Sequence, residues 1–503
     1  MIFPRRPVRN LLLASLLLPF LAAAQTKPEP QIPPTKPVPR ELQSLIDATA
    51  SVPPEFGADI LLRIVESNPP LDAATKLKLI RNAFELAAGA QEPIKRKHAF
   101  AISSDTTVGF RNLSFFINLD GLTLQSRAVD DALTLAPRTA RKLFEQLQPP
   151  DMPPLSCDEP LAYDPSAYYQ TLTGIVRNTF TPKEIKEGHR NAYISSFVGS
   201  LQSHAQVAPV AQFLVAADLT PEELSDATTL FAAALQQLHG DNRSFSAVTS
   251  EANYAELEAF PKLVARLHKT GIPTPPLLRS VRVYLISNLS GVRCAESVRS
   301  KEGQLPLPAS FFNETFAADL PPAQLRPIEA NELSTAQVAP KIVMHGFWQT
   351  PESKQLLEDV GKLGAAIFSD PTHQAVRSTA EWQDKLQNFL IALDAWQGTG
   401  ESEDDIFNEK LELYQAALDV TGPLPERSKV LDNFIDFLEQ TRFQDRNRVQ
   451  WFWAAKMVLD GRYSKENRPE ILRAFRDSRD PTLSIYARFE LWKSQNSPEA
   501  KKP

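Results

Sequence analysis

Two cysteines, Cys157 and Cys294, carry the sharpest chemical meaning in the chain. Cys157 sits in a Pro-rich stretch, PPDMPPLSCDEP, and Cys294 follows an apolar segment in SGVRCAES. Both positions read as loops beside helices. In an exported chain, two loop cysteines are expected to bond to each other. A nucleophilic thiol would need a base beside it. Cys294 has Arg293 as a neighbour, but no histidine lies close in sequence.

The seven histidines are His98, His189, His204, His239, His268, His345 and His373. None has the H-x3-H or H-E-x-x-H spacing that lets a helix grip a metal, so no metal site is expected. Nucleotide and cofactor signatures are absent too. Gly398-Thr399-Gly400 is followed by Glu401, Glu403, Asp404 and Asp405, which would repel phosphate and suit a helix start instead. No G-x-S-x-G elbow and no calcium loop occurs. No catalytic residue and no cofactor is therefore assigned.

Aromatic usage points inward. Phe (28) outnumbers Trp (6) plus Tyr (9), which suits core filling better than a sugar cleft. Val449–Leu459 (VQWFWAAKMVL) is the exception. Trp451, Phe452 and Trp453 point to different sides of one helix, as in the centre of a bundle. The functional alternative is a surface on which Trp451 and Trp453, with Arg442 and Arg446 just upstream, receive a peptide or glycan.

The elements that must position these residues read as helices. Gly is scarce (18) and Pro abundant (42) in 503 residues, and Pro gathers where helices start. Thr181-Pro182-Lys183-Glu184 and Thr220-Pro221-Glu222-Glu223 each read as a Thr cap, a first-turn Pro and a Glu reaching back. Thr350-Pro351, Asp370-Pro371 and Asp480-Pro481 are similar starts. Leu77, Ile80, Phe84 and Ala87 share one helical face; so do Phe407, Leu411, Tyr414 and Leu418. No strict alternation marks a strand. The fold class expected is all-α, with stacked helix pairs in an α-solenoid-like arrangement. No tetratricopeptide period is found.

Residues 1–24 read as a signal peptide: Arg5, Arg6 and Arg9, the apolar run Leu11–Ala22, then Ala22-Ala23-Ala24, with cleavage before Gln25. Residues 25–40 form a Pro-rich linker. Two helical domains are expected, 41–300 and 352–497, joined by a Pro-rich arm over 301–351 and followed by a disordered tail, 498–503. The formal charge is −6, so nucleic acid is not an expected partner. No membrane span is expected either, since the apolar runs are shorter than the roughly 20 residues needed. The expected function is an exported, non-catalytic binding or scaffolding protein, periplasmic or extracellular, with a protein or peptide partner. The alternative is a cell-envelope enzyme acting on glycan in an α/α toroid. Two carboxylates about 5–10 Å apart in a deep Trp- or Tyr-lined pocket would mark the enzyme.

Overall fold

The computed structural model describes residues 37–97, 106–147, 151–238, 243–245, 250–294, 305–319, 325–333, 335–337, 346–368, 376, 379–398, 401–422, 426–442, 447–460 and 468–496. The signal peptide, most of the Pro-rich linker, Asp370-Pro371 and the tail lie outside them.

The first helices are α1 (Arg40–Ala48), α2 (Pro54–Glu66), α3 (Ala73–Ala87), α4 (Thr107–Phe115), α5 (Gly121–Leu135), α6 (Pro137–Phe144) and α7 (Ser166–Asn178). Then come α8 (Pro182–Lys186), α9 (His189–Val198), α10 (Val207–Ala216), α11 (Pro221–Gln237), α12 (Ser250–Thr270), α13 (Pro275–Leu289) and α14 (Leu307–Thr315). The last are α15 (Pro351–Phe368), α16 (Ala380–Ala395), α17 (Glu403–Thr421), α18 (Glu426–Gln440), α19 (Arg448–Leu459), α20 (Arg468–Arg476) and α21 (Pro481–Asn496). Strand content among the described residues is confined to two short pairs. β1 (Arg96–Lys97) runs antiparallel to β2 (Ala162–Tyr163), and β3 (Gly291–Arg293) runs parallel to β4 (Thr335–Gln337). The chain is an all-α fold of stacked helices.

Local chemistry explains the helix starts. Thr181 and Thr220 form complete capping boxes with Glu184 and Glu223, each followed by Pro at the first position. Asp480 accepts from the amides of Thr482 and Leu483. The stretch 183–203, whose pattern reads as one helix, holds two. Gly188 takes φ +76°, which ends α8, and α9 stops at Gly199. Glycine reaches that left-handed region without a Cβ penalty. Gly57 is needed for a different reason: a Cβ there would sit 2.8 Å from the Thr49 carbonyl, where α2 passes the turn after α1.

Packing is sequential through the first half. α2 lies on α3, α3 on α5, α5 on α7, α7 on α10 and α10 on α12, while α9, α11 and α13 form a second row. The last helices then return to the first. α21 packs on α1 and α2, and α4 packs on α17 and α19. A single apolar cluster accordingly includes Leu42, Phe56 and Ile80 together with Phe434, Trp451 and Phe489. The core is thus continuous between the segments 41–300 and 352–497. Residues of the intervening arm contribute to it: Phe312, Phe316, Ile328 and Phe347 are buried.

Cys157 and Cys294 form a disulfide with their Cα atoms 5.5 Å apart. It ties the loop before β2 to the end of β3. Among the described residues, no helix is long and apolar enough to cross a membrane.

Candidate functional site

The Trp-rich helix α19 supplies both a correction and a site. Trp451 is fully buried, and its indole N–H donates to the Leu438 carbonyl at 2.9 Å. It is a core residue and offers no surface, because a helix apolar on every side is covered on every side. Arg442 is not on a groove with it; its Nε lies 2.6 Å from the buried Asp480 carboxylate. Arg446 lies outside the described residues. Trp453, 6% exposed, is the member of the set that reaches a cavity.

That cavity is a cleft of about 670 Å³ between the N-terminal helices α2 and α5 and the C-terminal helices α19 and α21. Trp453, Met457 and Phe489 form its apolar wall on one side, and Phe116 and Ile117 on the other. Arg63, Arg127, Lys456 and Lys493 stand around them with Glu66 and Asp460.

Behind the cleft is a buried ionic network. Asp59 sits on the apolar helix α2 with 1% exposure, so its charge requires partners. Arg63, one turn on, approaches its Oδ2 at 2.6 Å, and Arg127 of α5 its Oδ1 at 2.7 Å. The Tyr486 hydroxyl of α21 donates to Oδ2 at 2.6 Å. Burial alone would push this carboxyl up, but Arg63 and Arg127 together hold it well below the usual carboxylate range. Arg127 also grips both oxygens of Glu66, at 2.5 and 2.9 Å. Arg63 lies 3.7 Å from Glu490, which Arg468 reaches at 2.8 Å. The network pins α2, α5 and α21 together and fixes the cationic side of the cleft.

The two carboxylates facing the cleft are both engaged. Arg127 holds Glu66, and Lys456 lies 2.5 Å from Asp460. Lys493 makes no ion pair among the described residues. A second groove of about 710 Å³ runs between α15 and α16, over Leu363, Trp382 and Phe389. Its acids are also taken on their own helices: Asp359 by Lys362 at 3.2 Å and Glu381 by Lys385 at 2.7 Å. The pairing with Lys385 holds Glu381 below the usual carboxylate range.

Raised carboxyls exist, but none is among the side chains lining either cavity. Burial, with Glu66 adding repulsion, pushes Asp131 up to about 7. Burial pushes Asp120 up to about 6. Glu409, 1% exposed, accepts the Trp348 amide N–H at 2.6 Å where the arm joins α15. Burial pushes it up to about 7 against the pull of that amide, and Glu401 and Asp405 add repulsion. The folded state therefore holds a proton that a free carboxyl releases near 4.5. The resulting stability is complete below that value and is lost as pH rises through about 7. Glu409→Gln is expected to gain at least about 1 kcal/mol at pH 8 and to change little near pH 4.5. Urea denaturation at both pH values measures this, and an equal effect at both would refute the assignment.

Among the described residues, no three His, Cys, Asp or Glu side chains are placed to hold a metal. The buried His204 bonds the Tyr284 hydroxyl and packs against Phe245. Sequence spacing singled out Trp453 but missed Asp59, Arg127 and Tyr486, which meet only in the folded chain. No family model, curated protein or solved structure gives a significant match to the chain.

Proposed function

We propose that this is an exported, non-catalytic binding protein, and that its seam cleft receives a partner peptide segment bearing an apolar side chain beside a carboxylate. The observation that carries this reading is the lining of the cleft. An apolar wall of Trp453, Met457 and Phe489 is edged by cations, and both carboxylates present are already ion-paired. Such a lining suits recognition. It leaves no carboxyl free of a cation to act as the proton donor that glycoside hydrolysis requires. Lys493 supplies a cation that no carboxylate among the described residues neutralises.

The test is a peptide array probed with the purified chain, followed by fluorescence titration of the best binders. Peptides pairing an aromatic or Leu residue with Asp or Glu are expected to bind, and Lys493→Glu to weaken them about tenfold through charge reversal at an exposed position. Turnover of a glycan polymer by the purified chain, or no preference for acidic over basic peptides, would overturn the reading.

Export is supported by the basic start and apolar run of residues 1–24 and by the disulfide. Intact mass of the mature chain should correspond to a start at Gln25 and be two hydrogens lighter than the reduced form. A retained N-terminus would remove the export proposal.

A further inference from the structure

α21 has a second cavity on its α1 side, and three arginines meet there. Arg40 of α1, Arg476 of α20 and Arg488 of α21 line a hollow of about 370 Å³ with Trp492, Ser44 and Glu41. Guanidinium groups stay charged at every physiological pH and repel one another unless anions intervene. Asp477 satisfies Arg476 with two bonds, at 2.8 and 2.9 Å. Among the described residues, the other two have no such partner. Arg488 donates to the neutral Ser44 hydroxyl at 2.9 Å, and Arg40 forms no ion pair among the described residues. Glu41 shares the hollow without pairing with either.

The surrounding charge agrees. Residues 468–503 carry eight Lys and Arg against five Asp and Glu, within a chain whose net charge is −6. The half-buried Trp492 adds a flat apolar wall beside the guanidiniums, backed by Phe489 with ring centroids 6.0 Å apart. A paired guanidinium fork matches a phosphate or carboxylate oxygen pair, and an indole face matches a ring.

We infer that this hollow is a binding site for an oxyanion attached to a planar ring, with Arg40 and Arg488 taking the anion and Trp492 the ring. The site is separate from the seam cleft, and neither Arg40 nor Arg488 lines that cleft. Arginine does not titrate in the working range, so affinity for a fully ionised ligand is constant between pH 6 and 9.

Isothermal titration of the full chain with inorganic phosphate and with phenyl phosphate, at ionic strength matched by sodium chloride, tests it. Both are expected to saturate at one site, with phenyl phosphate tighter by about threefold or more from ring contact. The double variant Arg40→Gln/Arg488→Gln, at one exposed and one half-buried position, should weaken both about tenfold. Trp492→Leu should erase the difference between the two ligands. Lys493→Glu, which tests the cleft, should keep most of the affinity here, so the two proposals fail separately. Heats no different from chloride alone, or saturation unchanged in the double variant, would overturn the site. Equal affinity for the two ligands in the native chain would remove the ring from it.

Discussion

Asp59→Ala is expected to destabilise the fold by about 3 kcal/mol, because it strips a buried anion from two cations and a hydroxyl at once. The side chain is 1% exposed, and Arg63, Arg127 and Tyr486 all converge on it. Arg63 and Arg127 retain some contact with solvent, which keeps the cost below that of a fully sealed ion pair. Tyr486→Phe removes one hydrogen bond and should cost about 1 kcal/mol. The double variant should cost less than the sum, because the hydroxyl loses its acceptor in either case. Urea denaturation with the variants in parallel measures all three. An Asp59→Ala effect within about 0.5 kcal/mol of the native chain would mean that the network contributes geometry without stability.

Loss of the Cys157–Cys294 bond should have the largest effect in the molecule. The two residues are 137 positions apart, so the bond removes much of the freedom of the unfolded chain. The chain-entropy model puts the stabilisation at about 5 kcal/mol, an upper value if the denatured chain keeps structure. The Cys157→Ala/Cys294→Ala variant should therefore unfold at markedly lower urea concentration. Native protein should show no alkylatable thiol before reduction. A shift below about 1 kcal/mol would mean that the loop before β2 and the end of β3 hold together without the bond.

What the sequence revealed follows from the range of each interaction. Thr181 and Thr220 bond to groups three residues away, so their helix starts could be read directly. The cysteine pairing was legible because only two thiols exist. The break at Gly188 is not legible in the sequence, since a lone glycine within a helical stretch does not announce a positive φ. Trp451 and Trp453 could not be told apart in advance: on a helix covered all round, only the neighbours decide which ring meets a cavity. The site itself was invisible for the same reason. Asp59 is one of 60 acids, and the tyrosine that bonds it lies 427 positions away.

That separation has a consequence for how the molecule comes into being. While the chain emerges from its N-terminus, α2 is made early, yet the helix that covers it is the last to arrive. Until then the greasy flank around Phe56 has neither Phe452 nor Tyr486 against it. Assembly of the early helices can begin alone, but its completion must wait until α21 has been made, so a chain stopped before that point is left with an open, adhesive edge.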